Sequence, residues 1–321
     1  EFEFTHSDFS TIAQELYQRA GITLSDSKAN LVGIIGAIRA HDGKPPVGLT
    51  LILEGQEEVG SPFDFYPPTA PALFQSDAMV VADVGSVRPG TPTLTIALRG
   101  SAAIDISVTT LAGDKHSGLY GGAAPAARLA LIHALASMHD ANGDVAVDGL
   151  VQEPWTGATY TEAEFRELAE VLPGVPLMGT GDLGSHIWSG PAITVTAFDA
   201  PPTASPINAV AASASASLNL RVHPTQDPVE AQAALVRHLE AQQPFGVTFT
   251  VTPGEVGPGF AAGTDGPAFA AAEDALATAW GQPPVTMAGG GSIPLVMALR
   301  EAVPDAEILL FGATDSHANI H

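Results

Sequence analysis

The sequence predicts an α/β domain, with a mixed sheet flanked by helices, that is interrupted by a smaller inserted α+β domain of the ferredoxin-like, split-βαβ type. Short apolar runs that end in acidic residues occur together with helical patterns towards both ends of the chain, which is typical of an α/β layer. Between them, strands that alternate apolar and polar residues follow the order β-α-β-β-α-β. We expect the α/β domain over 1–98 and 253–321, and the inserted domain over 99–252.

The first part of the α/β domain opens with a helix-start signature. The tripeptide SDS at 25–27 precedes an apolar stripe at helical spacing over 31–38. The apolar run over 49–53 predicts a buried strand, and the run AMVVA over 78–82 predicts a second strand that ends at Asp83. Because ligands bind at the carboxyl ends of strands in such sheets, we expect functional side chains at these strand exits.

The strands and helices of the inserted domain, and of the second part of the α/β domain, are predicted from the periodicity of apolar residues. Half-buried strands are predicted where apolar and polar residues alternate, over 104–109, 193–196, 216–222 and 247–251. Helices are predicted over 123–138, 228–242 and 266–280, and directly after the GGGS at 289–292. A final strand over 308–311 ends near a segment rich in Asp and His.

Acidic and histidine-bearing segments follow several of the predicted strands. The stretch LEGQEEVGS at 53–61 carries three glutamates, Asp83 follows the second strand, and histidines lie in the segment 315–321. Because like charges repel, such a cluster is either a metal or acid–base site or the solvated mouth of a loop, and the stretch at 53–61 leaves both open. Carboxylate and imidazole ligands from separate loops suit zinc, manganese or cobalt. The chain has no cysteine, so thiolate metal sites and disulfides are excluded.

Charge and composition exclude some partners. The formal net charge is −23, and such an acidic chain repels nucleic acid and anionic membranes. No apolar run reaches the length of a membrane span. We therefore predict a cytoplasmic protein with neither nucleic-acid nor membrane partners. A removed signal peptide stays an alternative, because the sequence begins without Met.

Eight stretches, which occur in the same order as in the family, resemble the M20 family of metallopeptidases, and in particular its dipeptidase branch, which includes the cytosolic non-specific and carnosine dipeptidases. They are LSDSKANL (24–31), LEGQEEVGS (53–61), VVADVGS (80–86), IALRG (96–100), DKHSGLYGGAAP (114–125), LNLRVHP (218–224), GGSIPLV (290–296) and ATDSHANIH (313–321). The resemblance implies a metallopeptidase catalytic domain with an inserted lid and dimerisation domain. It also implies two divalent metal ions (zinc first, with manganese or cobalt as alternatives), a small peptide substrate and a homodimer formed through the inserted domain.

The resemblance assigns the catalytic and metal-binding roles. It implies that Asp26 bridges the two metals, that Asp83 is a ligand of the first metal, and that Glu58 is a further ligand. It implies that His321 is the imidazole ligand of the second metal. Glu57 matches the general base, which takes a proton from a metal-activated water. From the residues alone, Asp26 also reads as an ordinary helix N-cap and Asp83 as a turn residue at a strand end.

The substrate-binding roles come from the same resemblance. His116 matches a histidine that reaches into the partner subunit's active site and stabilises the oxyanion. Arg221 matches an arginine that pairs with the substrate's terminal carboxylate, and Asn208 a polar substrate-side position. Gly291 and Ser292 match a turn whose backbone N–H groups take a carboxylate. The alternatives are a polar loop histidine, a surface arginine and simple helix capping.

The chain departs from the family pattern before Asp26. Family members carry a His-x-Asp pair on a strand there, and the one such pair in this sequence, His6 and Asp8, lies too close to Asp26 and follows no apolar strand. We therefore expect the leading portion of the catalytic domain to be missing, with His6 and Asp8 as an alternative. The family continues into a final helix where this sequence stops at His321. His317 is the alternative to His321 as the ligand.

The function implied is hydrolysis of the amide bond of dipeptides with a free C-terminal carboxylate, by a metal-activated water with Glu57 as the base. An N-acyl-amino-acid deacylase of the same family is an alternative, and the motifs barely separate the two. A second alternative is a catalytically impaired dimeric binding protein. The missing His-x-Asp region favours this reading, whereas the intact Glu57–Glu58 pair argues against it.

Overall fold

A computed structural model of the chain describes residues 29–53 and 61–315. Contacts divide the chain into two compact units. The first takes Glu1–Thr95, Gly263–Val285 and Pro294–His321, and the second takes Ile96–Ala262 and Thr286–Ile293. The second unit is therefore inserted into the first, as the sequence predicts.

The described residues form thirteen strands and eight α-helices. The strands are β1 (Ala78–Val81), β2 (Gly85–Ser86), β3 (Thr93–Leu98), β4 (Gly100–Thr109), β5 (Lys115–His116), β6 (Ala192–Phe198), β7 (Ala209–Val210), β8 (Ser213–Val222), β9 (Thr250–Gly257), β10 (Phe260–Ala261), β11 (Val285–Gly289), β12 (Glu307–Leu310) and β13 (Thr314–Asp315). The α-helices are α1 (Ala29–Ala40), α2 (Ser117–Tyr120), α3 (Ala127–Ala136), α4 (Glu162–Leu168), α5 (Leu183–Ile187), α6 (Pro228–Ala241), α7 (Pro267–Trp280) and α8 (Pro294–Ala302). Among the described residues, no helix combines the length and apolar character needed to cross a membrane.

The second unit is built on a four-stranded antiparallel sheet in the order β6-β8-β4-β9. Strands β4 and β6 are joined through α3 and lie on either side of β8, while β8 and β9 are joined through α6 and lie on either side of β4. This is the split-βαβ arrangement, so the predicted ferredoxin-like topology is confirmed.

The core of the second unit lies between one face of this sheet and two helices. Alternate residues of β4 and β8 are buried against α3 and α6, and the buried cluster includes Ile104, Ile106, Leu218, Leu220, Leu131 and Leu235. The residues between them, such as Ser101 and Arg221, lie on the opposite, polar face because side chains alternate along a strand. The sheet therefore presents a row of polar positions away from its core.

Truncating Leu220 to alanine is expected to lower the free energy of unfolding by about 2–5 kcal/mol, because this side chain is fully buried and its loss leaves a cavity. Leu172→Ala is the control: Leu172 is 71 % exposed, and its truncation is expected to change the stability by less than about 0.5 kcal/mol. Urea denaturation of both variants measures the difference. Equal stability of the two variants would show the core to be misassigned.

The first unit contains a parallel pair, β1 with β12, in which Ala78 lies opposite Glu307. Beyond it, Leu310 of β12 pairs antiparallel with Thr95 of β3. The Glu307 carboxylate accepts hydrogen bonds from the backbone N–H groups of Ala268 and Phe269, both at 2.9 Å, and so caps the first turn of α7. This contact fixes α7 at the start of β12.

Two predicted strands differ from the structure. The apolar run at 49–53 forms no strand, and its side chains are exposed. A buried strand needs a neighbour to pair with, and none of the described strands pairs with this run. Strand β9 begins at Thr250, three residues after the start of the alternating pattern at 247. It then continues past Pro253 to Gly257. An irregularity in its pairing with β4, between Ala102 and Ile104, accommodates this proline.

Candidate active site

A row of residues crosses the polar face of the sheet in the second unit and carries Arg221. On β8, Arg221 lies opposite Ala192 on β6 and opposite Ser101 on β4, and Ser101 in turn lies opposite Gly257 on β9. Directly paired residues of neighbouring strands project from the same face. The side chain of Arg221 is therefore on the same face as the hydroxyl of Ser101.

Ser292 reaches the far end of this row. A Cβ atom placed on Gly257 would lie 2.9 Å from Ser101 Oγ and 3.6 Å from Ser292 Oγ. Both hydroxyls are therefore close to the Gly257 backbone, which has no side chain to keep them away. Because neighbouring strands are about 4.8 Å apart, Arg221 and Gly257 are separated by roughly 10 Å. The structure thus places Arg221 within this row and Ser292 at its far end, on the same face of the sheet.

Arg99 joins this region, although nothing in the sequence singles it out beyond its place in the IALRG stretch. It directly precedes β4 and is 8 % exposed. Its guanidinium donates hydrogen bonds to three backbone carbonyls, from Nε to Gly290 at 3.2 Å and from Nη1 to His186 at 3.3 Å and to Gly190 at 3.4 Å. Burial, and in smaller part the positive charge of Arg221, lowers the pKa of Arg99 to about 10. Arg99 is therefore charged at neutral pH.

His116 and Asn208 lie together at another place in the second unit. His116 pairs with Ala209 in the short β5–β7 ladder, and the next N–H, that of Ser117, donates to the Asn208 carbonyl at 3.1 Å. The backbone N–H of Gly118 donates to His116 Nδ1 at 3.1 Å. In the neutral ring the proton is therefore on Nε2, and the exposed side of His116 presents a hydrogen-bond donor.

These two groups are far apart within one chain. The β5–β7 ladder lies just before the start of β8, whereas Arg221 lies near its end. At roughly 3.3 Å per residue, the eight steps from Ser213 to Arg221 cover about 26 Å. The structure therefore places His116 next to Asn208, and Arg221 in the row whose far end Ser292 reaches, but it does not bring the two pairs together in one chain.

In the first unit, Asp83 lies in an exposed loop between β1 and β2. Beside it, the side chain of Asn30 donates to the Ala82 carbonyl at 2.7 Å and accepts from the N–H of Ala313. Asn30 thus ties the start of α1 to two strand ends. The parallel pairing of β2 with β13 continues this contact, with Gly85 opposite Thr314.

Asp26, Glu57, Glu58 and His321 lie outside the described residues, as do the alternatives His6, Asp8 and His317. Within the ranges that the structure does describe, no group of three or more His, Asp or Glu side chains is arranged to hold a metal ion. Three described segments that are next to predicted ligands in the sequence contact one another through Asn30. They are the start of α1, which follows Asp26, and the residues Ala82, which precedes Asp83, and Ala313, which precedes the histidine segment. Segments that lie next to three of the predicted ligand regions are therefore in contact with one another.

Comparison with known proteins finds a family match within the inserted unit and relatives that cover most of the chain. A family profile described as the M20 peptidase dimerisation domain matches residues 96–247. A curated relative, a cysteinylglycine-S-conjugate dipeptidase from Corynebacterium striatum, is 37 % identical over 305 residues, which cover 92 % of this chain and 67 % of the relative.

Two solved structures share the fold. Human carnosine dipeptidase 1 has a TM-score of 0.68 at 23 % identity, and the match covers 88 % of this chain and 63 % of that one. The di-peptidase Dug1p of Saccharomyces cerevisiae has a TM-score of 0.69 at 21 % identity, with coverage of 87 % and 62 %. The chain thus spans about two thirds of the length of these relatives.

Proposed function

We propose a dipeptidase function for this chain, which belongs to the dipeptidase branch of the M20 family of metallopeptidases. The proposed reaction is hydrolysis of the amide bond of dipeptides that carry a free C-terminal carboxylate. The observation that carries the substrate class is the row on the polar sheet face, which contains Arg221 and whose far end the Ser292 hydroxyl reaches. No described carboxylate forms an ion pair with Arg221, so its guanidinium can receive one from a substrate.

The family implies divalent metal ions, and we propose two, zinc first. Asp26 would bridge them, Asp83 would serve the first, and Glu58 and His321 would serve the second. Bound there, the metals would lower the pKa of a water molecule and polarise the scissile carbonyl. Glu57 would take the proton of that water and pass it to the leaving amine.

His116 would stabilise the negative charge that develops on the carbonyl oxygen. The Nε2–H that its tautomer leaves free is a suitable donor. The separation of about 26 Å along β8 supports the proposal that His116 serves the site of a partner subunit rather than its own. Asn208, whose backbone is held beside the same ladder, would contact the substrate next to His116.

A substrate panel on the purified full-length protein tests the reaction class. We expect hydrolysis of a dipeptide such as Ala-Gly, and much slower hydrolysis of Ala-Gly-amide, because the amide offers no charge to Arg221. N-acetyl-amino acids are included as the competing class. Faster turnover of N-acetyl-amino acids than of any dipeptide would replace the dipeptidase proposal with the deacylase alternative.

Sharing of the site between subunits has its own prediction. His116→Ala and Arg221→Ala should each be nearly inactive alone, with His116→Ala losing about 10²–10³-fold in kcat through the missing oxyanion donor. In a mixed dimer of the two variants, one of the two sites has neither lesion, so up to half of the wild-type activity should return. Purified heterodimers with no recovered activity would show that each subunit works alone.

A further inference from the structure

Arg99 holds a buried positive charge without a described acidic partner. The residues that receive its hydrogen bonds are backbone carbonyls, and among the described residues no carboxylate lies within ion-pair distance of it. Burying a guanidinium costs free energy that carbonyl oxygens offset only in part. The neighbouring charge of Arg221 adds repulsion. Such a pair of cations is stabilised when an anion binds beside it.

The three carbonyls belong to two segments that Arg99 joins. Gly290 directly precedes the Gly291–Ser292 turn, whereas His186 and Gly190 belong to the segment around α5. A second contact from Arg99 holds the same turn, because its backbone N–H donates to the Gly289 carbonyl at 3.2 Å.

The segment around α5 is itself rigidly packed. Trp188 is 3 % exposed and makes an edge-to-face contact with Trp155, with ring centroids 5.5 Å apart. The Ser185 hydroxyl accepts a hydrogen bond from the N–H of Trp155 at 3.0 Å and donates to the carboxylate of Asp182. Arg99 therefore fastens the Gly291–Ser292 turn to a fixed support.

We propose that Arg99 is a positioning residue for the substrate's terminal carboxylate: it fixes the Gly290–Ser292 turn and adds a second positive charge beside Arg221. This inference rests on the proposed dipeptidase function. The carboxylate would be bound by Arg221 directly, and Arg99 would act through the turn and through its field. A planar guanidinium suits this position because its Nε and Nη1 together reach three carbonyls, which the single nitrogen of an ammonium group cannot reproduce.

The test compares Arg99→Lys and Arg99→Met with Arg166→Met as the matched control. Arg166 also donates to a backbone carbonyl, that of Val175 at 2.8 Å, but lies in the exposed helix α4 and pairs with Glu162. For each protein, kcat and KM are measured with Ala-Gly and with Ala-Gly-amide. We expect both Arg99 variants to raise KM for Ala-Gly about tenfold or more, with little change in KM for the amide, and Arg166→Met to resemble the wild type.

Gly290→Ala is a milder probe in case the Arg99 variants fold poorly. A Cβ there would lie 3.4 Å from Arg99 Nη2 and would add a methyl group in van der Waals contact with the guanidinium without removing it. It should lower the preference for the acid over the amide by a few-fold at an unchanged unfolding temperature. A folded Arg99→Lys or Gly290→Ala protein with the full wild-type preference would overturn the positioning role alone. A wild-type protein without any preference for the acid would instead reject the carboxylate site as a whole, and the role of Arg99 with it.

Discussion

Replacing Glu57 by glutamine is expected to lower kcat for dipeptides by about 10²–10⁴-fold while the protein keeps its bound metal, because a general base removes a proton but is not a ligand. Glutamine preserves the size of the side chain and removes the group that accepts the proton. Turnover measured alongside metal content by elemental analysis separates these effects.

Two neighbours in the same stretch serve as controls for this prediction. Glu54→Gln changes a carboxylate that matches no catalytic position, and it should stay close to the wild type in both activity and metal content. Glu58→Ala should lose metal as well as activity, because fewer ligands hold the ion. If Glu57→Gln turned over at a near-normal rate, the assignment of the base would be wrong.

Replacing Arg221 by lysine is expected to raise KM for dipeptides about 10- to 100-fold, although the charge is kept. An ammonium group cannot form the two parallel hydrogen bonds that a planar guanidinium makes with a carboxylate, and hydrogen bonds to charged groups contribute about 1.5–3 kcal/mol each. The position of Arg221 on the polar sheet face, opposite Ser101, leaves the fold's core untouched by this change.

Arg166→Lys is the control for Arg221→Lys, since it makes the same substitution on exposed α4 of the same unit. Steady-state kinetics of the two variants with Ala-Gly measures the effect. An unchanged KM in Arg221→Lys would show that the carboxylate binds elsewhere.

The inserted domain was the part of the fold that the sequence predicted best. Residues such as Ile104 and Leu218 alternate with polar neighbours because one face of β4 and β8 packs on α3 and α6, and this burial leaves a direct trace in the sequence. The run at 49–53 shows the limit of the same reasoning. Its apolar residues predict a strand, but whether a strand forms depends on a neighbour that local sequence does not reveal.

The sequence points to a site residue where the side chain itself carries the chemistry. Arg221 and Ser292 are singled out through the resemblance. The structure places them on one face of the sheet, and their substrate-binding roles stay predictions. Arg99 was missed because it contacts backbone carbonyls, which leave no signature in the sequence. The residues that carry these carbonyls are also distant along the chain, since His186 follows Arg99 by 87 positions and Gly290 follows it by 191. The roles of Asp26, Glu57, Glu58 and His321 stay predictions, since these residues lie outside the described part of the chain.

The most direct measurement of the central claim is the metal dependence of dipeptide hydrolysis by the purified full-length protein. The protein is stripped with a chelator, zinc is titrated back, and the release of free amino acids from Ala-Gly is followed for the wild type and for Glu57→Gln in parallel. A metal-dependent dipeptidase loses hydrolysis on stripping and regains it as zinc binds, while Glu57→Gln binds the same amount of zinc without comparable activity. Hydrolysis that survives complete removal of the metal, or a reconstituted wild type that leaves Ala-Gly intact, would contradict the account.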